Sequence, residues 1–408
     1  MTKPGTRPDA PSRPLVDFDH HSADFRERNH EIMDDLRSRC PVAYTESHGG
    51  FWVLTDYRSV AAALRDDELF SSCPSVGIPP SPIPTAILPA ETDPPLTGEL
   101  RAITARHFSR TAVQAAEEGI REMAGDLVDA FVERGECDVV AELATPLPAR
   151  VILAMLDFDQ DRWAEWVDCV HAVLHDRNSD PEKAAEAAGK IFTTISEEME
   201  RRTTDGLGGD LLSSIMRGTV EGRPLDALEV TMYAFVMFLA GMDTTSGLFG
   251  NALVELDRRP DLRRRLIEDR SLFGAATEEF LRRDTPSQGL ARTVTRDTTF
   301  FGQRLSAGDS VLMMFAAANR DPEVFDRPHE IDLDRQHYKH FAFGIGAHRC
   351  LGANLARTMF RVMLDEVLTR LPDFRVTGPG ERFADSGEIH ALRSLPIAFS
   401  AGARRGTA

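Results

Sequence analysis

A glycine-rich stretch near the carboxyl terminus contains the residues best suited to chemistry. Residues 343–352 have the sequence FGIGAHRCLG, and a helical pattern follows over 351–371. A cysteine at the start of a helix, here Cys350, faces unpaired amide groups and the positive end of the helix dipole, which favour thiolate over thiol. A thiolate cradled by glycines, which let backbone approach a flat partner, is suited to bind a heme iron axially. For this cysteine alone, an inert buried thiol is the alternative.

An acid and an alcohol, Asp243 and Thr244, lie in the middle of the longest apolar helical pattern, over 226–258. A buried carboxylate is costly unless it has a partner or a task. Beside an iron site, this pair could relay the two protons that cleavage of dioxygen requires. The alternative is a threonine bonded back to a carbonyl one turn earlier, with the aspartate on a helix face. We expect Gly241 to loosen the helix and make room for dioxygen or water.

The composition predicts a soluble globular protein. The chain has 408 residues, of which 65 are acidic and 47 basic, giving a net charge of −18. An acidic surface repels nucleic acid and anionic membranes, so neither is an expected partner. We find no apolar run of membrane-spanning length and no signal sequence, and therefore expect a cytoplasmic protein. The five cysteines are scattered without a CxxC pair, which argues against a disulfide framework or a structural zinc site.

Helical patterns dominate the elements that must position these residues. The sequence predicts a mainly α fold with small β-sheets, a loose leader over residues 1–15 and one domain over 16–402. The proline-rich stretch 74–95 cannot be one regular helix and contains apolar residues between its prolines. The other predicted elements are a strand over 51–54, a helix over 57–67 and short strands over 292–295, 299–301 and 310–315.

Taken together, the motifs resemble those of the cytochrome P450 family of heme-thiolate monooxygenases. The cysteine loop is similar to the family's ligand loop, and four further segments match in order and spacing: DPP at 93–95, AGMDTT at 240–245, EFLR at 279–282 and NRDP at 319–322. The matches extend from about Phe70 to Pro396. The resemblance implies a P450-like fold with heme b buried between a long central helix and the Cys loop with the last long helix.

The resemblance also implies roles for individual residues. Cys350 would be the axial ligand, and Asp243 and Thr244 the proton relay. Residues implied to hold the heme are Arg101, Arg292, His348, Phe343, Gly344 and Gly352. A structural triad would consist of Glu279, Arg282 and Arg335. Local similarity to the camphor-hydroxylating branch implies a substrate chamber lined by Thr85, Ile87, Leu88, Val236, Leu239, Ala240, Leu290 and Ile389, with Gln288 and His390 as further polar candidates.

A dioxygen-dependent monooxygenase is the favoured function, because the acid–alcohol pair accompanies the cysteine loop. The substrate would be a small, mostly apolar molecule such as a terpenoid, alicyclic or aromatic compound, but not camphor, since Thr85 stands where a longer donor is needed. The alternatives are a peroxide-driven or coupling heme-thiolate enzyme and a non-catalytic heme sensor.

Electrons would come from NAD(P)H through a ferredoxin reductase and a ferredoxin, because the resemblance leaves no residues for a flavin domain. The expected ferredoxin surface is a basic patch made of Arg101, Arg106, Arg349, Arg357 and Arg361. We expect a monomer.

Overall fold

Helices are the main regular structure, as expected, and the strands form small sheets. The structure is a computed structural model that describes residues 13–336, 339–385 and 387–406. The α-helices are α1 (Ala23–Arg39), α2 (Tyr57–Ala63), α3 (Leu96–Thr104), α4 (Arg110–Asp129), α5 (Pro146–Leu156), α6 (Trp163–His171), α7 (Pro181–Asp205), α8 (Leu211–Met216), α9 (Ala227–Met242), α10 (Thr244–Arg258), α11 (Pro260–Glu268), α12 (Phe273–Arg283), α13 (Phe315–Ala318) and α14 (Ala353–Arg370). The strands are β1 (Val42–Thr45), β2 (Phe51–Leu54), β3 (Phe70–Ser71), β4 (Glu136–Asp138), β5 (Thr219–Val220), β6 (Arg223–Pro224), β7 (Leu290–Val294), β8 (Thr298–Phe300), β9 (Gln303–Leu305), β10 (Ser310–Met313), β11 (Arg375–Val376), β12 (Glu381–Arg382), β13 (Leu392–Ser394) and β14 (Pro396–Ala398).

The predicted central helix is present as α9 and α10, which follow each other with a break at Asp243. A capping box starts α9, because Asp226 and Glu229 each accept a hydrogen bond from the other's backbone N–H. At the break, Asp243 has φ −106° and ψ −32°, outside the regular helical range. The interruption places a polar side chain in the middle of the core without unwinding the flanking turns.

The central helix is surrounded by other helices, which explains its apolar composition. Helices α5 and α7 pack against α9, and α14 packs against α10 and α4. Phe238 is fully buried and stacks on Trp166 with ring centroids 4.2 Å apart. Segment Ala227–Arg258 is long and apolar enough to cross a membrane, contrary to our expectation, but most of its apolar window lies inside the protein. Length and composition alone do not separate a core helix from a membrane span.

The largest sheet brings the proline-rich region and β7 to one side of the core. Its strand order is β1-β2-β10-β7-β3, with β2 and β10 parallel and the other pairs antiparallel. Arg292 on β7 lies opposite Val311 on β10. This register fixes where the Arg292 side chain leaves the sheet.

The predicted element bounds differ from the observed ones by a few residues. The helix predicted over 57–67 ends at Ala63, and the last helix begins at Ala353, two residues later than predicted. Segment 74–95 contains neither helix nor strand, as expected from its prolines. Residues 1–12 of the predicted leader lie outside the described residues, while Leu15 forms a β-bridge with Tyr44. The boundary at residue 15 stays a prediction.

Candidate active site

The cysteine loop is shaped by two glycines in left-handed backbone conformations. Gly344 has φ +59° and Gly346 has φ +74°, values that L-residues with a Cβ rarely adopt. A Cβ at Gly346 would lie 2.8 Å from the carbonyl oxygen of Leu64. The loop closes where the Cys350 N–H donates to the Phe343 carbonyl at 2.7 Å. The glycines are therefore needed for a tight turn that presents Cys350.

The thiol of Cys350 is accessible, although protein atoms surround it on most sides. Burial raises the pKa of the Cys350 thiol, while the Gly352 N–H and the Arg101, Arg349 and Arg357 guanidinium groups act in the opposite direction. The expected lowering by the helix start is thus outweighed, because α14 begins three residues after the cysteine. A bound metal ion would reverse this balance, since coordination deprotonates a thiol outright.

The three predicted donors for heme carboxylates lie within electrostatic reach of one another. Burial and the charges of Arg292 and Arg101 together lower the pKa of His348 to about 4. Burial also lowers the pKa of Arg292 to about 10, and its guanidinium donates to the adjacent Ala291 carbonyl at 2.7 Å. Within the described ranges, no carboxylate forms an ion pair with Arg292, which is 4% exposed. A buried, incompletely paired cation within electrostatic reach of His348 on the cysteine loop fits a bound group with two carboxylates.

Phe343 is held beside the cysteine by a second charged pair. The Arg357 guanidinium lies 4.4 Å from the centre of the Phe343 ring and donates to both Glu278 oxygens, at 2.6 and 2.8 Å. Burial opposes ionisation of Glu278, but hydrogen bonds from Arg357 and His340 bring its pKa to about 2. Arg357 is therefore committed to the cysteine loop, and it is a poor representative of the basic surface predicted above.

Asp243 is held by two histidines that the sequence analysis did not single out. His175 Nε2 lies 2.7 Å from Asp243 Oδ2, and His171 Nε2 lies 3.3 Å from Oδ1. His175 Nδ1 donates to the Asp385 carbonyl at 2.8 Å, so its second ring nitrogen carries a proton only if the ring is charged. Burial alone would raise the pKa of Asp243, but the charge of His175 outweighs it and lowers that pKa. The aspartate and His175 are therefore a buried ion pair.

The spacing of these two histidines is the sequence feature that could have revealed them as a pair. His171 and His175 are four residues apart at the end of α6 and in the π-helical turn that follows, so both side chains share one face. His175 also stacks on Phe383, with centroids 3.8 Å apart and planes within 5°. The two histidines contact the Asp243 carboxylate only because α6 packs against the break in the central helix.

Thr244 and Gly241 each make a close contact within the fold. The Thr244 hydroxyl donates to the Ala240 carbonyl at 3.2 Å, which is the backbone contact considered as its alternative. A Cβ at Gly241 would lie 2.5 Å from the Ile152 side chain. Gly241 is thus required for the close approach of α5 to α9, and helix loosening is not needed to explain it.

The predicted triad forms a buried cluster. Arg282 donates to both oxygens of Glu279, at 2.8 and 3.0 Å, and Arg335 donates to Oε1 at 2.9 Å. Arg282 also donates to the Asn319, Pro328 and Glu330 carbonyls. Glu279 and Arg282 are fully buried, so this cluster joins α12 to the segment that leads to the cysteine loop.

One face of α9 is open near its carboxyl end, although most of the helix beyond its first turn is buried. Ala240 is exposed, and Val236, Leu239 and Thr244 are half-buried, whereas Phe235, Met237 and Phe238 are buried. Positions 236, 240 and 244 share a face by helical spacing. Arg101 on α3 lies within electrostatic reach of both Tyr233 on α9 and Cys350, and the Tyr233 hydroxyl donates to the Leu100 carbonyl, so α3 lies near both the central helix and the cysteine.

The other predicted lining residues are distributed differently. Thr85, Ile87 and Leu290 are half-buried, whereas Leu88 and Ile389 are buried, Ile389 in a small cluster with Phe383. The side chain of Gln288 accepts from Asn29 and donates to the Thr285 carbonyl, and Asn29 also contacts His390. The side chains of Gln288 and His390 are therefore engaged in polar contacts within the protein.

The fold and site together define a mainly helical protein with an exposed cysteine in a glycine-rich loop and a buried carboxylate at a break in its central helix, as in heme-thiolate oxygenases. The cytochrome P450 family model matches residues 149–388. The chain is 30% identical to the methyl-branched lipid omega-hydroxylase of Mycobacterium tuberculosis, covering 97% of each chain. It is 31% identical to the steroid C26-monooxygenase of Mycolicibacterium smegmatis, covering 90% of this chain and 92% of that one. Among solved structures, Mycobacterium marinum CYP268A2 in complex with pseudoionone matches with a TM-score of 0.87 and 27% identity, covering 96% of this chain and 100% of that one.

The chain belongs to the cytochrome P450 family. This confirms the resemblance stated from the motifs and the expected oxygen-incorporating oxidoreductase. Membership implies heme with its iron, an organic substrate and dioxygen.

Proposed function

We propose that this P450 monooxygenase hydroxylates a small, mostly apolar, terpenoid-like, alicyclic or aromatic compound. The observation that carries the proposal is the open strip on α9, formed by Val236, Leu239 and Ala240. Apolar side chains on this strip reward burial of hydrocarbon at about 25 cal/mol per Å². Relatives named for a methyl-branched lipid and for a steroid, and a structural neighbour in complex with pseudoionone, support an apolar substrate.

Heme b fits the residues around the thiol. Cys350 would hold the iron, and Arg101, Arg292 and His348 would bind the two propionates. Phe343, Gly344 and Gly352 would shape the cradle; a Cβ at Gly352 would be in ordinary contact with the Cys350 sulfur, at 3.9 Å. When bound, the heme supplies the iron at which dioxygen is reduced.

We assign the supply of protons to His171, Asp243 and Thr244. The His171 side chain is 22% exposed and its Nε2 lies 3.3 Å from Asp243 Oδ1, so it can pass a solvent proton to the buried carboxylate. Asp243 precedes Thr244 at the helix break, and rotation of the Thr244 hydroxyl away from Ala240 would hand the proton to the open face. His175 holds Asp243 in position and is a positioning residue.

Electrons would come from NAD(P)H through a ferredoxin reductase and a ferredoxin. A surface depression of about 700 Å³ lies where α4 meets α14. Four arginines line it beside the Glu278-bound Arg357: Arg110, Arg121, Arg270 and Arg361, together with the acidic Glu117 and Asp365. An acidic ferredoxin would be attracted to this face of an otherwise acidic protein. We also propose that the protein is cytoplasmic and monomeric.

The proposal is tested by titrating terpenoids, aromatic compounds, steroids and fatty acids while following the spin state of the ferric heme. We expect the strongest shift with a compact apolar compound, and loss of that shift in Ala240→Phe, which fills the open strip. Ala307→Phe, on an exposed loop, is the matched control. A strong response only to charged or macrocyclic compounds would contradict the proposed substrate class.

A peroxide-driven oxidation is the second candidate. It is favoured by the closed state of the relay, because Asp243 is paired with His175 and the Thr244 hydroxyl is bonded to Ala240. Product formation with hydrogen peroxide should then equal or exceed that with dioxygen, NADH, ferredoxin and reductase, and His171→Asn should leave it unchanged. The monooxygenase route is supported if product forms faster with dioxygen and the redox partners than with hydrogen peroxide. In that case His171→Asn should slow the reaction, whereas His107→Asn should not.

A further inference from the structure

Three imidazoles meet at a surface corner that the oxygenase site does not use. His20 and His21 precede α1, and His48 lies in the turn between β1 and β2. A third segment closes the corner, because a Cβ at Gly387 would lie 2.8 Å from His21 Nδ1. Residues distant in the sequence therefore converge here only in the folded chain.

The spacing of these rings is close to that of a metal site. Each residue offers a ring nitrogen, and the three nitrogens lie within 4.8 Å of one another. The ring centroids are 4.0 Å (His20–His21), 5.2 Å (His21–His48) and 5.9 Å (His20–His48) apart. Zinc–nitrogen bonds of about 2.0–2.1 Å in a tetrahedral site require nitrogens about 3.3 Å apart. Movements of about 1.5 Å at the ring nitrogens would therefore close the site around a zinc ion.

His20 is the unusual member of the cluster. It is 2% exposed, and its Nδ1 has no hydrogen-bond partner within the part of the chain that the structure describes. An unpartnered buried nitrogen is costly unless something binds it.

The other two imidazoles have carboxylate partners. His48 Nε2 lies 2.8 Å from Asp19 Oδ1, and His21 Nδ1 lies 2.7 Å from Asp385 Oδ1. Carboxylates that accept from the second nitrogen of a ligating histidine orient the ring and make it more basic. His48 is positioned in this way, with Nε2 bonded and Nδ1 available. His21 also contacts the Ile78 carbonyl through Nε2 at 2.6 Å, so one of its two nitrogens must exchange its proton for the metal ion.

We propose that His20, His21 and His48 bind a divalent ion of the zinc type. Coordination forms three metal–nitrogen bonds, breaks one N–H bond of His21 and releases that proton to solvent. Water or the neighbouring Asp385 carboxylate can complete four-coordination. The ion would join the segment before α1 to the β1–β2 turn. The Asp385 carbonyl accepts from His175, which connects this corner to the residues that hold Asp243.

The test is zinc binding by the heme-loaded full-length protein, measured by equilibrium dialysis and elemental analysis. We expect one zinc ion per chain in the wild type and in His329→Asn, which removes an exposed histidine elsewhere. His48→Asn should weaken binding by at least about tenfold, the lower limit seen when even an outer partner of a metal site is lost. His48 lies at the surface, so this variant should fold, which circular dichroism checks.

X-ray absorption at the zinc edge gives an independent readout. Three imidazole ligands per zinc in the wild type would support the assignment. The proposal is overturned if the wild type takes up no more zinc than His48→Asn, or if the absorption spectrum shows sulfur or fewer than three imidazoles. Because neither measurement uses turnover, its result is separate from that of the proposed monooxygenase activity.

Discussion

Replacing His175 by phenylalanine isolates the ion pair that holds Asp243. Phenylalanine keeps the stacking on Phe383 but removes the charge that lies 2.7 Å from the carboxylate. Both partners are 2% exposed, so water cannot replace the lost contact. Loss of one partner of a buried pair costs about 3–5 kcal/mol of the free energy of unfolding. We expect about 3 kcal/mol, the lower end of that range, because His171 remains beside Asp243.

The pH dependence of this loss follows from the two pKa shifts. The pKa of His175 is raised by Asp243, although burial opposes the shift, so its contribution is complete below the unfolded value of about 6.5 and is lost as the pH rises through the raised value. The pKa of Asp243 is lowered, so its contribution is present above about 3.9 and is lost in more acidic solution. The difference in the free energy of unfolding between wild type and His175→Phe should therefore be largest at about pH 5–6.5.

The assay is guanidinium unfolding of the ferric protein followed by circular dichroism between acidic and alkaline pH. All variants are compared at equal heme saturation, because a bound group stabilises the native state by itself. The double variant Asp243→Asn/His175→Phe should regain at least about 2 kcal/mol of the free energy of unfolding that His175→Phe loses, since no buried charge is left unpaired. A difference that does not vary with pH, or no recovery in the double variant, would refute the ion pair.

Three further predictions concern the proposed heme ligand, the proton relay and the transfer of electrons from ferredoxin. Cys350→Ser should abolish the red-shifted Soret band of the reduced carbon-monoxide complex, and retention of that band would mean that another residue is the ligand. Thr244→Ala should bind substrate and consume NADH but release much of the oxygen as hydrogen peroxide; unchanged coupling would remove the threonine from the relay. Arg361→Glu should slow reduction by ferredoxin at least about tenfold at low ionic strength and less in high salt, whereas Arg304→Glu, outside the depression, should not. Equal rates for both variants would exclude this face as the docking surface.

Local chemistry made much of this protein predictable from its sequence. The cysteine loop depends on glycines at fixed spacing, and Gly344 and Gly346 adopt left-handed conformations that residues with a Cβ rarely adopt. The capping box at Asp226 and Glu229 marks the start of the central helix, and the prolines of 74–95 exclude a regular element. Glu279 and Arg282 share a helix face by their spacing alone. These features involve neighbours in the sequence, so they can be recognised without knowledge of the fold.

The tertiary structure decided how these local features are combined. Gly241 is a glycine because Ile152, almost ninety positions earlier in the sequence, packs against it. Asp243 is an ion-pair partner because the packing of α6 brings His171 and His175 to the break in the central helix. Arg357 is bound at the cysteine loop, at the edge of the surface depression, because Glu278 and Phe343 contact it there. Burial and long-range contacts set the charge of these groups, and a sequence specifies such contacts only through the fold it forms.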